Sequence, residues 1–288
     1  MWTEALALLE GYRRFVITTH TNPDLDALGS ELALEEHLRT RGKEVSVLNS
    51  DPTPRPHRFV DPARRLRTYR PSRHDPLIQQ AEVIVVLDAS GGWSRVGRIG
   101  EALSRATART LRIDHHPDSP KFTDVEVVVD QAAATGELIY DLVQTAGGVI
   151  SPTMARALYV AILTDTGSFR FPKTSPTTHR IAAHLIERGA NPTELYNIVY
   201  NRYSLNRFRL QGFVMNSLQL AAGGRLAWCA LSQSVLGEYE AEVADLDNFA
   251  GLGMQLAGVH VSLLCVEMPR EQVKISLRSD GRVVVNNL

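Results

Sequence analysis

The sequence predicts an α/β protein in which a parallel sheet carries helices on both faces, followed by a helical linker and a smaller α+β domain. Three observations predict it. Short apolar runs at 15–17, 45–48, 83–87 and 111–113 alternate with helical patterns, the βαβ rhythm of a parallel sheet. The run Val83 to Leu87 is apolar at every position, as in a strand covered on both faces. After Gly223 the style changes to strands separated by turn residues. A chain of 288 residues suits one large domain or two ordinary ones at ~150 residues each. The expected division is 1–190, a helical linker at 191–222, and 223–288.

Residues 3–14 read as a short amphipathic helix with Leu6, Leu9 and Tyr12 on one side. A buried strand from Phe15 ends at His20, and a helix follows from about 26 to 41, which Gly42 ends at C′. Val45 to Leu48 is another strand. Residues 51–76 hold six prolines and seven arginines. They read as a solvated surface loop with a short helix rather than as a phosphate-attracting flap, since charge runs are usually exposed faces. The strand ending at Leu87 runs out into Asp88-Ala89-Ser90-Gly91-Gly92, and a helix fits 94–106. Leu111 to Ile113 is a central strand ending in Asp114-His115-His116, and Val125 to Val129 is a further strand. Helices fit 135–146, capped by Thr135, and 153–164, which ends in Thr164-Asp165-Thr166-Gly167. A helix at 176–188 stops at Gly189. Another starts at Asn191-Pro192, an N-cap followed by Pro at N1, and runs with a break to about 220. Arg225 to Leu231, Val259 to Glu267 and Val273 to Arg278 are strands, with a helical stretch near 234–256 between the first two.

Hydrophobic residues at 44% allow a full-sized core. No apolar run approaches the roughly 20 residues of a membrane helix. Met1 to Leu9 lacks a basic region before an apolar one and does not read as a signal peptide. Cys229 and Cys265 lack metal-ligand spacing and read as two buried free thiols of a cytoplasmic protein. A net charge of -1 provides no global field to hold long nucleic acid.

The chemistry lies in the strand ends. His20, Asp24 and Asp26 sit between a strand and a helix. Hard divalent cations take oxygen ligands, and imidazole suits a borderline ion such as Mn²⁺. Pro23 stiffens the turn and pushes Asn22 out of the right-handed α region. The plain alternative is a helix N-cap in which Asp26 caps, Asp24 is solvated and His20 is a loop histidine. Convergence decides between them. His20, Asp88 and Asp114-His115-His116 each end an apolar strand, and in open α/β sheets ligands bind at the carboxyl ends of the strands. Asp165 joins from the end of a helix. One like-charge pair 4 Å apart costs about 4 kcal/mol at an effective dielectric of 20, a cost that two divalent cations would remove.

These motifs together, His20-x-x-x-Asp24-x-Asp26, Asp88, Asp114-His115-His116 and Thr164-Asp165-Thr166-Gly167, resemble the DHH phosphoesterase family, in its oligoribonuclease and pAp phosphatase branch. The resemblance covers residues 1–190, and Val273 to Ser279 resembles the start of the family's associated substrate-binding domain. It implies a two-metal site with Mn²⁺ as the first expectation. One ion is held by His20, Asp24 and Asp88; the other by Asp26, Asp88, His115 and Asp165, with hydroxide attack on phosphorus. His116 contacts phosphate or protonates the leaving oxygen, and Asp114 orients its neighbours from behind. Ser90, His116 and Arg278 are the expected substrate contacts, with Gly91 and Gly92 letting phosphate oxygens approach. Short RNA oligonucleotides, dinucleotides or pAp are the expected substrates, held in a crevice between the domains. Cleavage of cyclic dinucleotides is one alternative and a non-catalytic nucleotide-binding module another. A pyrophosphatase of the same superfamily is disfavoured because no Arg/Lys-rich cluster follows Gly223. A homodimer is the family-level expectation. Two departures stand out. Leu25 replaces the usual Gly between the first two aspartates, so strain is expected there if that position needs positive φ. The chain also stops at Leu288 before a Gly-rich GGGH-type segment, so the second domain reads as incomplete.

Overall fold

In the computed structural model, which describes residues 1–117, 120–201, 203–246 and 248–285, the chain divides into two units, Met1–Asn201 and Arg202–Leu288. Asn286 to Leu288, the end of the stretch read as incomplete, lie outside the described residues.

The first unit opens with α1 (Thr3–Gly11), β1 (Arg14–Thr19), α2 (Leu25–Thr40) and β2 (Glu44–Asn49). A 3₁₀ turn at Arg55–Val60 leads to β3 (Leu66–Thr68) and α3 (Pro71–Gln80). Next come β4 (Val83–Leu87), a 3₁₀ turn at Trp93–Val96, α4 (Arg98–Ser104), β5 (Arg109–Asp114) and β6 (Val125–Val128). Four helices complete it: α5 (Thr135–Thr145), α6 (Pro152–Asp165), α7 (Pro176–Glu187) and α8 (Pro192–Tyr200).

The strands form one sheet in the order β3-β2-β1-β4-β5-β6, with every pairing parallel. The order reverses between β1 and β4, which is where a ligand crevice opens in such sheets. Register then fixes the chemistry. Thr19 pairs with Leu87 and Leu87 with Ile113, so the next residues, His20, Asp88 and Asp114, stand side by side at the carboxyl edge.

Strand alternation builds two cores. Val83, Val85 and Leu87 face one side with Ile17, Leu111 and Ile113, under Leu34, Leu138 and Leu158 of the helices. Ile84 and Val86 face the other, with Val16, Leu48, Ile78, Ile99 and Leu103. Each such side chain contributes roughly 1.5–3 kcal/mol on burial, so the sheet is a stiff platform for the loops at its edge.

The elements depart from expectation where local sequence misleads. Leu66–Thr68 forms a strand inside the Pro/Arg-rich segment. The helix expected at 94–106 is broken by Gly97, whose φ of 73° is left-handed. Thr135 does not cap α5: the N-cap is Ala134, without a side-chain bond, and the Thr135 hydroxyl is used elsewhere. Ser151 and Asn191 cap α6 and α8 by accepting from Met154 N and Glu194 N. Leu25 carries no positive φ; the left-handed residue of that turn is Asn22 at 53°, a residue type that tolerates it.

The second unit contains α9 (Leu205–Ser217), β7 (Gln219–Ala221), β8 (Leu226–Leu231), α10 (Gln233–Glu238), β9 (Val261–Met268) and β10 (Gln272–Ser279). Its sheet runs β10-β9-β8-β7, with β8 and β9 parallel and the outer pairs antiparallel. Leu210, Val214, Leu231, Phe249, Leu264 and Val266 fill its core. The helical stretch near 234–256 resolves into α10 and 3₁₀ turns at Val243–Leu246 and Phe249–Gln255. The division between units falls inside the span read as a linker, so α8 counts with the first unit and α9 with the second. Cys229 is buried as expected, but Cys265 is only half-buried, on the opposite face of its sheet. No helix among the described residues is long and apolar enough to cross a membrane.

Candidate metal centre

Asp24, Asp26, Asp88 and Asp165 converge with His20, His115 and His116 at the carboxyl edge of the first sheet. They form three overlapping groups whose ligand atoms lie within 4.8 Å of one another: His20, Asp24 and Asp88; Asp26, His115 and Asp165; Asp88, His115 and His116.

Each side chain is fixed by a local device. Asp24, not Asp26, caps α2: its Oδ1 accepts from Asp26 N at 3.0 Å and Ala27 N at 3.1 Å. Its other oxygen lies 3.9 Å from His20 Nε2. Asp26 is buried in the first turn and gripped by the amino end of α5, where Thr135 N donates to Oδ2 at 2.7 Å and Gly136 N to Oδ1 at 2.8 Å. Only glycine allows this approach, because a Cβ at 136 would stand 2.7 Å from Ala161 Cβ and 3.3 Å from Asp26 Oδ1. Asp88 sits at φ 53°, left-handed backbone that is costly for a non-glycine residue and typical of functional sites. Its Oδ1 accepts from the Thr135 hydroxyl at 2.9 Å, and its Oδ2 lies 3.7 Å from His20 Nε2.

The histidines are oriented from behind. His20 Nδ1 lies 2.7 Å from Thr21 O and His115 Nδ1 3.2 Å from Ala132 O. A carbonyl only accepts, so each Nδ1 carries hydrogen and turns Nε2 toward the carboxylates. His115 Nε2 reaches Asp165 Oδ2 at 3.3 Å, Asp88 Oδ1 at 3.6 Å and Asp26 Oδ2 at 3.8 Å. Asp114 is fully buried, and its Oδ1 accepts from His116 N at 3.1 Å and from His116 Nδ1 at 2.8 Å. The buried Arg112 guanidinium lies behind Asp114 at 3.7 Å.

Electrostatics describe a cluster crowded with negative charge. Burial, then Asp88, Asp165 and Asp24, drives the Asp26 carboxyl well above the ordinary carboxylate range. Burial and then Asp88 push Asp165 up to about 7. Burial alone would raise Asp88 too, but His20, His115 and His116 outweigh it and hold the carboxyl low. Burial opposes charge on His20, yet Asp88 and Asp24 lift it to about 9. Burial holds His115 below the ordinary imidazole value, against the pull of Asp88.

The residues present fit divalent cations. Among the described residues, His115 Nε2 and Asp88 Oδ2 are buried with no hydrogen-bond partner, which costs free energy that a bound cation would offset. A neutral His115 turns a lone pair toward carboxylate oxygens that also only accept. Oxygen and imidazole donors suit Mn²⁺ or Mg²⁺ better than a soft ion. Every expected ligand is in the cluster. Ser90 is half-buried just beyond Asp88, beside Gly91 and Gly92 at φ 91° and 87°. Arg278 belongs to the second unit, where its Nη1 donates to the Leu277 carbonyl at 3.0 Å.

Three supports were missed in the sequence. Thr135 and Gly136 read as a helix start rather than as donors to two aspartates. Asn49 takes Thr19 N on Oδ1 at 3.3 Å and donates to the buried Glu31 at 2.8 Å, tying β1 to α2. Lys173 Nζ donates to the His115 carbonyl at 3.2 Å. Only Thr135-Gly136-Glu137, a threonine and glycine opening a helix, gave any signal.

A model of the DHH family, N-terminal domain, matches residues 14–162. A Thermus thermophilus protein named bifunctional oligoribonuclease and PAP phosphatase NrnA is 31% identical over 290 residues, covering 99% of this chain and 81% of that protein. The crystal structure of an exopolyphosphatase-related protein from Bacteroides fragilis superposes with a TM-score of 0.94 at 27% identity, over 99% of this chain and 84% of that one. Exonuclease RecJ bound to manganese shares the fold at a TM-score of 0.50 and 15% identity, over 98% of this chain and 83% of that one.

Proposed function

This chain belongs to the DHH family, and from that premise we propose that it hydrolyses short oligoribonucleotides or dinucleotides to mononucleotides, and pAp to AMP, as a metal-dependent phosphoesterase. One observation carries the reading: carboxylates and imidazoles from four distant segments meet at the switch point of the sheet, with Asp88 Oδ2 and His115 Nε2 buried and without a hydrogen-bond partner among the described residues.

In this reading His20, Asp24 and Asp88 hold one cation, and Asp26, Asp88, His115 and Asp165 hold the other, Mn²⁺ before Mg²⁺. When bound, the ions supply a nucleophile at neutral pH and draw charge from the attacked phosphate. The chain's own residues do the rest. Asp88 belongs to both sets of residues that would hold the ions, and the three histidines around it keep it ionised. Thr135 and the backbone of Gly136 fix the oxygens of Asp88 and Asp26, so the cluster needs little rearrangement when substrate arrives. A hydrogen bond to Asp114, with Asp88 adding to it, lifts the His116 imidazole above its ordinary range, while burial opposes. His116 is thereby biased toward its protonated form, and from its half-exposed ring it gives a proton to the leaving sugar oxygen. Ser90, just beyond Asp88, contacts substrate phosphate. The free thiols Cys229 and Cys265 suit the reducing cytoplasm, where such short products of RNA decay arise.

The test is incubation of the protein and Mn²⁺ with pAp, a two- to five-residue RNA and a cyclic dinucleotide. Release of mononucleotides from the RNA or pAp supports the proposal. Preferred cleavage of the cyclic dinucleotide moves it to the related phosphodiesterase. Tight binding without turnover makes the chain a nucleotide-binding module instead.

A further inference from the structure

The loop that follows Asp165 carries three left-handed residues in a row. Gly167, Ser168 and Phe169 are successive left-handed residues at φ 55°, 63° and 63°. Two non-glycine residues in that region cost free energy that the surrounding bonds must offset. Those bonds are present: Ser168 N donates to Leu163 O at 2.8 Å, Phe169 N to Thr166 Oγ1 at 2.9 Å, and Phe171 N to Thr166 O at 3.0 Å.

The loop uses its two phenylalanines differently. Phe169 anchors it, stacked on His179 with centroids 5.3 Å apart and an interplanar angle of 27°, and 6.1 Å from the Tyr159 ring. Phe171 is left 52% exposed. Its ring tip rests against Gly167, where a Cβ would stand 2.5 Å from Phe171 Cζ. Two residues on, the Lys173 ammonium donates to the carbonyl of His115 and acts on the charge of both His115 and Asp165. An exposed aromatic ring whose tip meets Gly167 and a cation therefore share one short loop that begins at a candidate metal ligand.

We propose that Phe171 is the platform on which a base of the substrate stacks, with Lys173 beside it for the adjoining phosphate. This rests on the phosphoesterase reading and deepens it: a substrate with a base is preferred over a bare phosphoester. Stacking on a π face is tolerant of sequence, which suits an enzyme that degrades mixed short RNA.

The experiment uses a diribonucleotide carrying 2-aminopurine and a non-hydrolysable methylenephosphonate linkage. Its fluorescence is quenched when the base stacks. The wild type should bind with quenching. Phe171→Ala should weaken binding roughly 5- to 150-fold, the range of base–aromatic stacks on alanine substitution, and lose the quench. Phe171→Trp should restore both, and Phe171→Leu, apolar but without a π face, should not. In turnover, Phe171→Ala should lower the preference for a dinucleotide over its abasic analogue, whereas a folding defect would lower both rates alike. Unchanged quenching in Phe171→Ala, or a Phe171→Leu variant equal to wild type, overturns the inference alone if the wild type cleaves phosphoesters. A wild type that neither binds the probe nor cleaves any phosphoester overturns the enzymatic reading as well.

Discussion

Thr135→Val is the sharpest test of how the centre is held. Threonine and valine have nearly the same shape, and position 135 is fully buried, so the exchange removes one hydroxyl and little packing. That hydroxyl donates to Asp88 Oδ1 at 2.9 Å, and among the described residues the other oxygen of Asp88 has no hydrogen-bond partner. A hydrogen bond to a charged group contributes about 1.5–3 kcal/mol. At 1.36 kcal/mol per decade, its loss predicts roughly a 10- to 150-fold fall in Mn²⁺ affinity or in kcat/KM. Removal of partners that orient metal ligands gives a similar range, about 10–100-fold. The assay is kcat/KM for pAp across a Mn²⁺ titration, for Thr135→Val and for Thr135→Ser, which keeps the hydroxyl. Thr135→Ser should stay close to wild type. A Thr135→Val enzyme within twofold of wild type at every Mn²⁺ concentration would refute the reasoning, because Asp88 would then not depend on this donor.

Two other outcomes follow from the same geometry. Asp88→Asn should abolish hydrolysis and lower the bound Mn²⁺ counted by mass spectrometry of the native protein, since one carboxylate serves both proposed sites; an unchanged metal count and rate would remove Asp88 from that role. Away from the centre, burial and then Arg41 hold His37 down to about 4. The unfolded chain takes up that proton near pH 6.5 and the folded protein does not, so this stability is complete above pH 6.5 and is lost as pH falls toward 4. The loss reaches about 3 kcal/mol at 1.36 kcal/mol per unit. Urea unfolding of wild type and His37→Gln at pH 7 and pH 4.5 reads it; an equal acid loss in both would assign the effect to other groups.

Much of the centre was legible because the sheet imposes it. Val83 to Leu87 is apolar throughout, so a covered parallel strand was the natural reading, and the residue after it had to emerge at the carboxyl edge. The same logic placed His20 and Asp114-His115-His116. Other features depend on partners far away in sequence. Thr135 opens a helix as a cap residue would, and only Asp88, 47 positions earlier, shows why its hydroxyl is not spent on capping. Asp24 and Asp26 both fit a cap, and the choice was made by α5, whose amino end takes Asp26. Leu66–Thr68 is a strand because β2 pairs with it, although its own residues are half-buried and set among prolines and arginines. The pairing of Asn49 with Glu31 joins a strand end to a helix interior and leaves no local pattern.

The most direct measurement is anomalous scattering at the manganese edge from a crystal of this chain grown with Mn²⁺. The account predicts two peaks, one among His20, Asp24 and Asp88 and one among Asp26, Asp88, His115 and Asp165. Peaks elsewhere, or none at this cluster in a fully loaded crystal, would contradict it.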